Sequence, residues 1–119
     1  MTTAAIAARL VELCSKGDFE GAQKELYAED AISIEPYATP AFEKETHGLK
    51  AIIEKGHKFD GMVEKYHDIS ISQPLFAGNS FTVVLQMDLT MKGQDRMQMS
   101  EICVYVTKNG KIISEQFFM

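Results

Sequence analysis

The chain has 119 residues, of which 45% are hydrophobic and 24% charged, with a net charge of −5 at pH 7. That composition fits one soluble domain with a real core and excludes disorder. The acidic balance, with lysines scattered among acids, excludes a nucleic-acid surface, and no stretch approaches the roughly 18 apolar residues of a membrane span.

The first residues, Met1 to Arg9, lack a basic segment followed by a long apolar one, so no signal peptide is expected. Thr2 or Thr3 can cap a first helix running through Cys14, with Ile6, Leu10 and Leu13 on one stripe. Lys16-Gly17 closes it, and Asp18 caps a second helix, Phe19 to Ala28. A short apolar strand, Ala31 to Glu35, ends on a carboxylate because Pro36 cannot donate to a sheet ladder. About eleven residues then lack either apolar period. His47-Gly48 opens a third helix, to about Asp60, with Leu49, Ile52, Ile53 and Phe59 roughly on one face.

After Gly61 the chain reads as strands. Tyr66 to Ser72 alternates, and strict alternation puts His67 on the face of Ile69 and Ile71. Ala77-Gly78-Asn79 turns into the longest clean strand, where Phe81, Val83, Leu85, Met87, Leu89 and Met91 share one face. The next strand, Arg96 to Val106, slips in phase: Met97 and Met99 are odd, whereas Ile102, Val104 and Val106 are even. Either a β-bulge sits near Ser100-Glu101 or both faces are covered. Lys108-Asn109-Gly110-Lys111 signals a hairpin into the last strand, Ile112 to Met119.

Helix, helix, strand, helix and four hairpin-linked strands make an α+β fold, its helices on one face of a curved antiparallel sheet. A bent sheet roofed by helices leaves an apolar pocket. Glu35, at a strand end facing the third helix, is the first candidate for its chemistry, and His67 the second. Cys14 and Cys103, without CxxC spacing, read as buried reduced thiols of a cytoplasmic protein. The three histidines lack HxxxH or HxH spacing, so no metal is expected. No phosphate-cradling glycine loop, dinucleotide fingerprint or nucleophile elbow occurs, and no cofactor is expected.

Val11 to Asp18, Leu26 to Ala31, Ile34-Glu35-Pro36, His47-Gly48 and Asn109 to Ile112 resemble, in order and spacing, the nuclear-transport-factor-2-like superfamily, which includes ketosteroid isomerases and SnoaL-like polyketide cyclases. The resemblance spans the chain as a single SnoaL-like domain, residues 1–119. It implies a cone-shaped barrel, with three N-terminal helices packed on a strongly curved antiparallel or mixed sheet of cystatin-like topology.

By this resemblance the isomerases' general-base aspartate falls on Glu35, their oxyanion-hole tyrosine on Leu10 and their protonated aspartic acid on Ile102. With both donors replaced, the resemblance implies a SnoaL-like protein with a rebuilt pocket rather than a ketosteroid isomerase. It sends His67 inward and lets Gln98 and Ser100 line the cavity.

The expected site is therefore Glu35 and His67 as acid/base groups, with Gln98, Ser100, Tyr27, His47 and Met87 around the ligand. A carboxylate in an apolar pocket has its pKa raised, as a base for a carbon acid requires, and histidine titrates near neutrality unaided. Blander roles stand beside these: Tyr27 packing under the sheet, His47 in a helix cap, His57 exposed, and Met87, Met97 and Met99 filling core or interface. Glu101 is expected on the convex face, as the buried acid of a homodimer formed through the sheet.

The expected function is an isomerase, cyclase or lyase acting on an apolar carbonyl compound. The alternatives are a non-catalytic module for an apolar small molecule and a dimerising interaction protein.

Overall fold

The computed structural model describes residues 1–119. The Thr2 hydroxyl accepts from the Ala5 N–H at 3.1 Å and starts helix α1, Thr3–Ser15, which buries Ile6, Leu10 and Leu13. Gly17 turns the chain at φ +77, and the Asp18 carboxylate accepts from Gly21 N–H at 2.9 Å to cap α2, Phe19–Leu26. The helix stops two residues short of Ala28. Tyr27 is already extended and begins strand β1, Tyr27–Ile34, whose buried positions Tyr27, Ala31 and Ser33 alternate.

Two strands of three residues each went unexpected: β2, Glu45–His47, on β1, and β4, Leu75–Ala77, on β5. The irregular stretch thus closes as a hairpin, with Glu35 N–H donating to the Lys44 carbonyl at 2.7 Å. His47 belongs to β2 rather than to a helix cap. Gly48, at φ +92, makes the corner into α3, Leu49–Met62, which has no side-chain cap. Strands β3, Val63–Ile71, β5, Ser80–Met91, β6, Arg96–Lys108, and β7, Lys111–Phe118, follow.

The sheet order is β2-β1-β7-β6-β5-β3, with β4 on β5. It is mixed, because β1 runs parallel to β7 while every other pair is antiparallel. The barrel expectation is corrected on closure: β2 and β3 are free edges, and the sheet is open. The three helices pack against it around one core centred on Ile6, Leu10, Leu26, Ile52, Phe81 and Leu89.

Between β5 and β6 the pairing runs without a shift from Ser80↔Val106 to Thr90↔Arg96. The phase slip in β6 is therefore not a bulge. Cys103, Tyr105 and Thr107 face inward, while Ile102, Val104 and Val106 carry apolar surface on the outer face. The bulges lie elsewhere. In β3 the extra residues are Glu64, between Val63↔Met91 and Lys65↔Thr90, and His67, between Tyr66↔Leu89 and Asp68↔Asp88. In β7 Ile113 separates Thr107↔Ile112 from Val106↔Ser114, and the β1–β7 register also shifts between Tyr27 and Ile32.

Candidate functional site

The helices and the inner face of the sheet enclose a cavity of about 640 Å³. Leu10, Ile52, Phe59, Ile69, Leu85 and Met87 give it apolar walls. Its innermost ionisable groups come from β1, α3, β6 and β7. β1 and the residue after it bring Tyr27 and Glu35, α3 brings Lys55, β6 brings Glu101 and β7 brings Glu115.

Four of these, with Ser33, form one hydrogen-bonded chain. The Lys55 ammonium donates to Glu35 Oε1 at 3.0 Å and to Ser33 Oγ at 2.6 Å. The Ser33 hydroxyl donates to Glu115 Oε2 at 2.6 Å, and the Tyr27 hydroxyl donates to Glu115 Oε1. Glu115 is only 3% exposed. Burial raises its pKa, and the bonds from Ser33 and Tyr27 pull it part of the way back. Burial likewise lifts the Tyr27 and Tyr105 hydroxyls well above their ordinary range.

Glu101 stands outside this chain. Its carboxyl accepts only a long contact from Cys103 Sγ, at 3.7 Å. Burial, and then the negative charge of Glu35, push its pKa up to about 7. An acid in that range is partly protonated at neutral pH and can both give and take a proton. Burial also pushes the Cys14 thiol up to about 12, and Cys103 rises too, so neither free cysteine offers a ready thiolate.

Several sequence-based placements are corrected. Gln98 and Ser100 do not line the cavity: both are exposed on the outer face, where Ser100 Oγ accepts from Gln86 Nε2 at 3.2 Å. Unbroken alternation sends Glu101 inward instead, so it is not an outer-face interface acid, and Ile102 faces outward at 47% exposure. His67 is not on the cavity wall. The bulge hands its inward place to Tyr66, and the His67 ring shares a 2.8 Å hydrogen bond with Thr90 Oγ1, a residue that faces away from buried Leu89 and Met91. His47 lies outside the cavity, 67% exposed and 3.7 Å from Glu45. His57 sits at the rim, exposed and paired with Glu20.

Lys55 and Glu115 were missed. Lys55 follows Ile52 by three positions and precedes Phe59 by four, so a lysine on the apolar stripe was the available signal. For Glu115 there was none, because the bulge at Ile113 reverses the alternation that would have faced it outward.

The SnoaL-like domain model matches residues 1–119. A candidate SnoaL-like polyketide cyclase from Mesorhizobium loti is 32% identical, with a TM-score of 0.92 and all of both chains covered. An NTF2-like protein of unknown function from Burkholderia pseudomallei is 14% identical, with a TM-score of 0.82, covering 100% of this chain and 92% of that one. A protein of ketosteroid-isomerase-like fold from Catenulispora acidiphila, in complex with trimethylamine, is 21% identical at a TM-score of 0.70, covering 96% and 84%. The last two show the fold alone. No curated protein matches.

Proposed function

Because the chain belongs to the SnoaL-like domain family, we propose that it holds an apolar carbonyl compound in the cavity and moves a proton on it, as an isomerase, cyclase or lyase does. The observation that carries this reading is Glu101, a carboxyl whose pKa is near 7 on the wall of a largely apolar cavity that Glu35 also lines. Protonated Glu101 would donate to the ligand's carbonyl oxygen, and the Glu35 carboxylate, steered by Lys55, would take a proton from the neighbouring carbon. His67, on the outer face, has no part in it.

A second reading, a binder without turnover, is favoured by the 3.0 Å Lys55–Glu35 ion pair, which occupies one oxygen of the proposed base. Deuterium exchange at the α-carbon of a bicyclic apolar ketone, followed by NMR in D2O, separates the two. Exchange that falls at least tenfold in Glu101→Gln and in Glu35→Gln supports proton transfer. A ketone bound without exchange supports the binder.

The outer face supports a homodimer. Val84, Ile102 and Phe118, 40%, 47% and 46% exposed, stand in register across β5, β6 and β7. No helix is long and apolar enough to cross a membrane. Two buried free thiols favour a cytoplasmic setting.

A further inference from the structure

We propose that Lys55 is a covalent amine centre, forming an imine with an apolar aldehyde or ketone held in the cavity. This rests on the carbonyl-binding reading above and adds a bond to it. Of the nearby lysines, Lys16 is well exposed at the cavity mouth, and Lys58, on α3, donates to the Ala41 carbonyl in the loop before β2. Lys55 alone is held inside.

Its side chain is 15% exposed, and its nitrogen lies 5.6 Å from the centre of the Phe117 ring. Ser33 and Glu35 fix the nitrogen from two sides, so its position does not depend on a free four-carbon stem. Glu35 is placed to take its proton. Glu101, lining the same cavity, is close enough to feel the charges of both Glu35 and Lys55, and it supplies an acid. An amine, a base beside it and an acid facing the same space are the parts that carbonyl condensation needs.

The step balances as follows. Glu35 takes one proton from the ammonium, leaving a lone pair on Nζ. That pair forms the C–N bond as the carbonyl π pair moves to oxygen, which takes the Glu101 proton. The new nitrogen returns one proton to Glu101. Glu101 then protonates the hydroxyl, the C–O bond breaks, water leaves, and the nitrogen pair closes the C=N⁺ bond. The products are a protonated imine, the Glu101 carboxylate, protonated Glu35 and one water. No oxidant, metal or second substrate is required.

The test uses the intact protein, 2-naphthaldehyde and sodium cyanoborohydride, which fixes an imine as a stable amine, read by peptide mass mapping. Native mass spectrometry with the unreactive alcohol 2-naphthylmethanol reports occupancy separately. The expected result is a naphthylmethyl adduct at Lys55, formed at least tenfold faster than at exposed Lys50 or Lys108. Glu101→Gln should slow that adduct at least tenfold, and Lys55→Arg should abolish it while the alcohol still binds. Alcohol bound without preferential Lys55 labelling overturns the imine alone. Neither bound alcohol nor a Lys55 adduct overturns the carbonyl-binding reading with it.

Discussion

Glu101 and Ile102 are consecutive on β6 and serve opposite sides of the sheet: the carboxyl enters the cavity and the isoleucine meets solvent. Strand alternation makes that separation unavoidable once Cys103 and Tyr105 are buried. Each of the two residues therefore tests a different property of the protein.

Glu101 makes stability depend on pH. Its pKa in the fold, about 7, stands above the ordinary 4.5, so the folded state holds the proton more tightly than the unfolded chain. Its penalty is absent below about pH 4.5 and grows as pH rises through 7, to a ceiling on the order of 3 kcal/mol. Glu101→Gln should flatten much of the fall in melting temperature between pH 5 and 8 and be the more stable protein at pH 8. Equal slopes in the two proteins would contradict this. Glu115 is shifted the same way and leaves a residual slope.

Ile102 tests the dimer. Wild-type protein should sediment at twice the chain mass at micromolar concentration, and Ile102→Glu should weaken association by at least about tenfold, or 1.4 kcal/mol. The cavity lies on the other face, so occupancy by 2-naphthylmethanol should not change. A wild-type monomer at these concentrations refutes pairing through Val84, Ile102 and Phe118.

Tyr27 and Glu115 form a buried pair, so Tyr27→Phe should cost about 1–3 kcal/mol in denaturant unfolding. The lost bond was lowering the Glu115 pKa, and without it that pKa rises further. The cost should therefore be larger at high pH, where Glu115 is ionised, than in acid, where it is protonated. An equal cost in acid and in base would contradict the coupling of Tyr27 to Glu115.

His67→Ala should leave occupancy and α-carbon exchange unchanged. It should cost about 1 kcal/mol, from the half-buried bond to Thr90. A tenfold loss of exchange in this variant, with its melting temperature kept, would return the imidazole to the mechanism.

What could be read without coordinates was what local pattern determines. Thr2, Asp18 and the Ile6–Leu10–Leu13 stripe set the first two helices, and the apolar alternation from Phe81 to Met91 set the central strand. Glu35 emerged because proline must end the strand before it. Strands β2 and β4 escaped because three residues carry no period, and the parallel pairing of β1 with β7 joins segments about eighty residues apart. The site was less legible because one inserted residue reverses everything beyond it. The bulge at His67 turned a histidine out and a tyrosine in, and the bulge at Ile113 turned Glu115 in. At Ser100-Glu101 the slip is open to a bulge or to two apolar faces; the pairing has no bulge, and unbroken alternation turns Glu101 inward rather than to the convex face.

The parallel neighbourhood of β1 and β7 has a temporal consequence. A ribosome makes Tyr27 and Ser33 some eighty residues before Glu115, and their hydroxyls wait for it. Until Lys111–Phe118 has emerged, β1 has only three-residue β2 to pair with, and the Tyr27 and Ser33 hydroxyls lack the carboxylate they donate to. Closing so long a loop is entropically slow, so the polar chain should form only after Lys111–Phe118 has docked on β1.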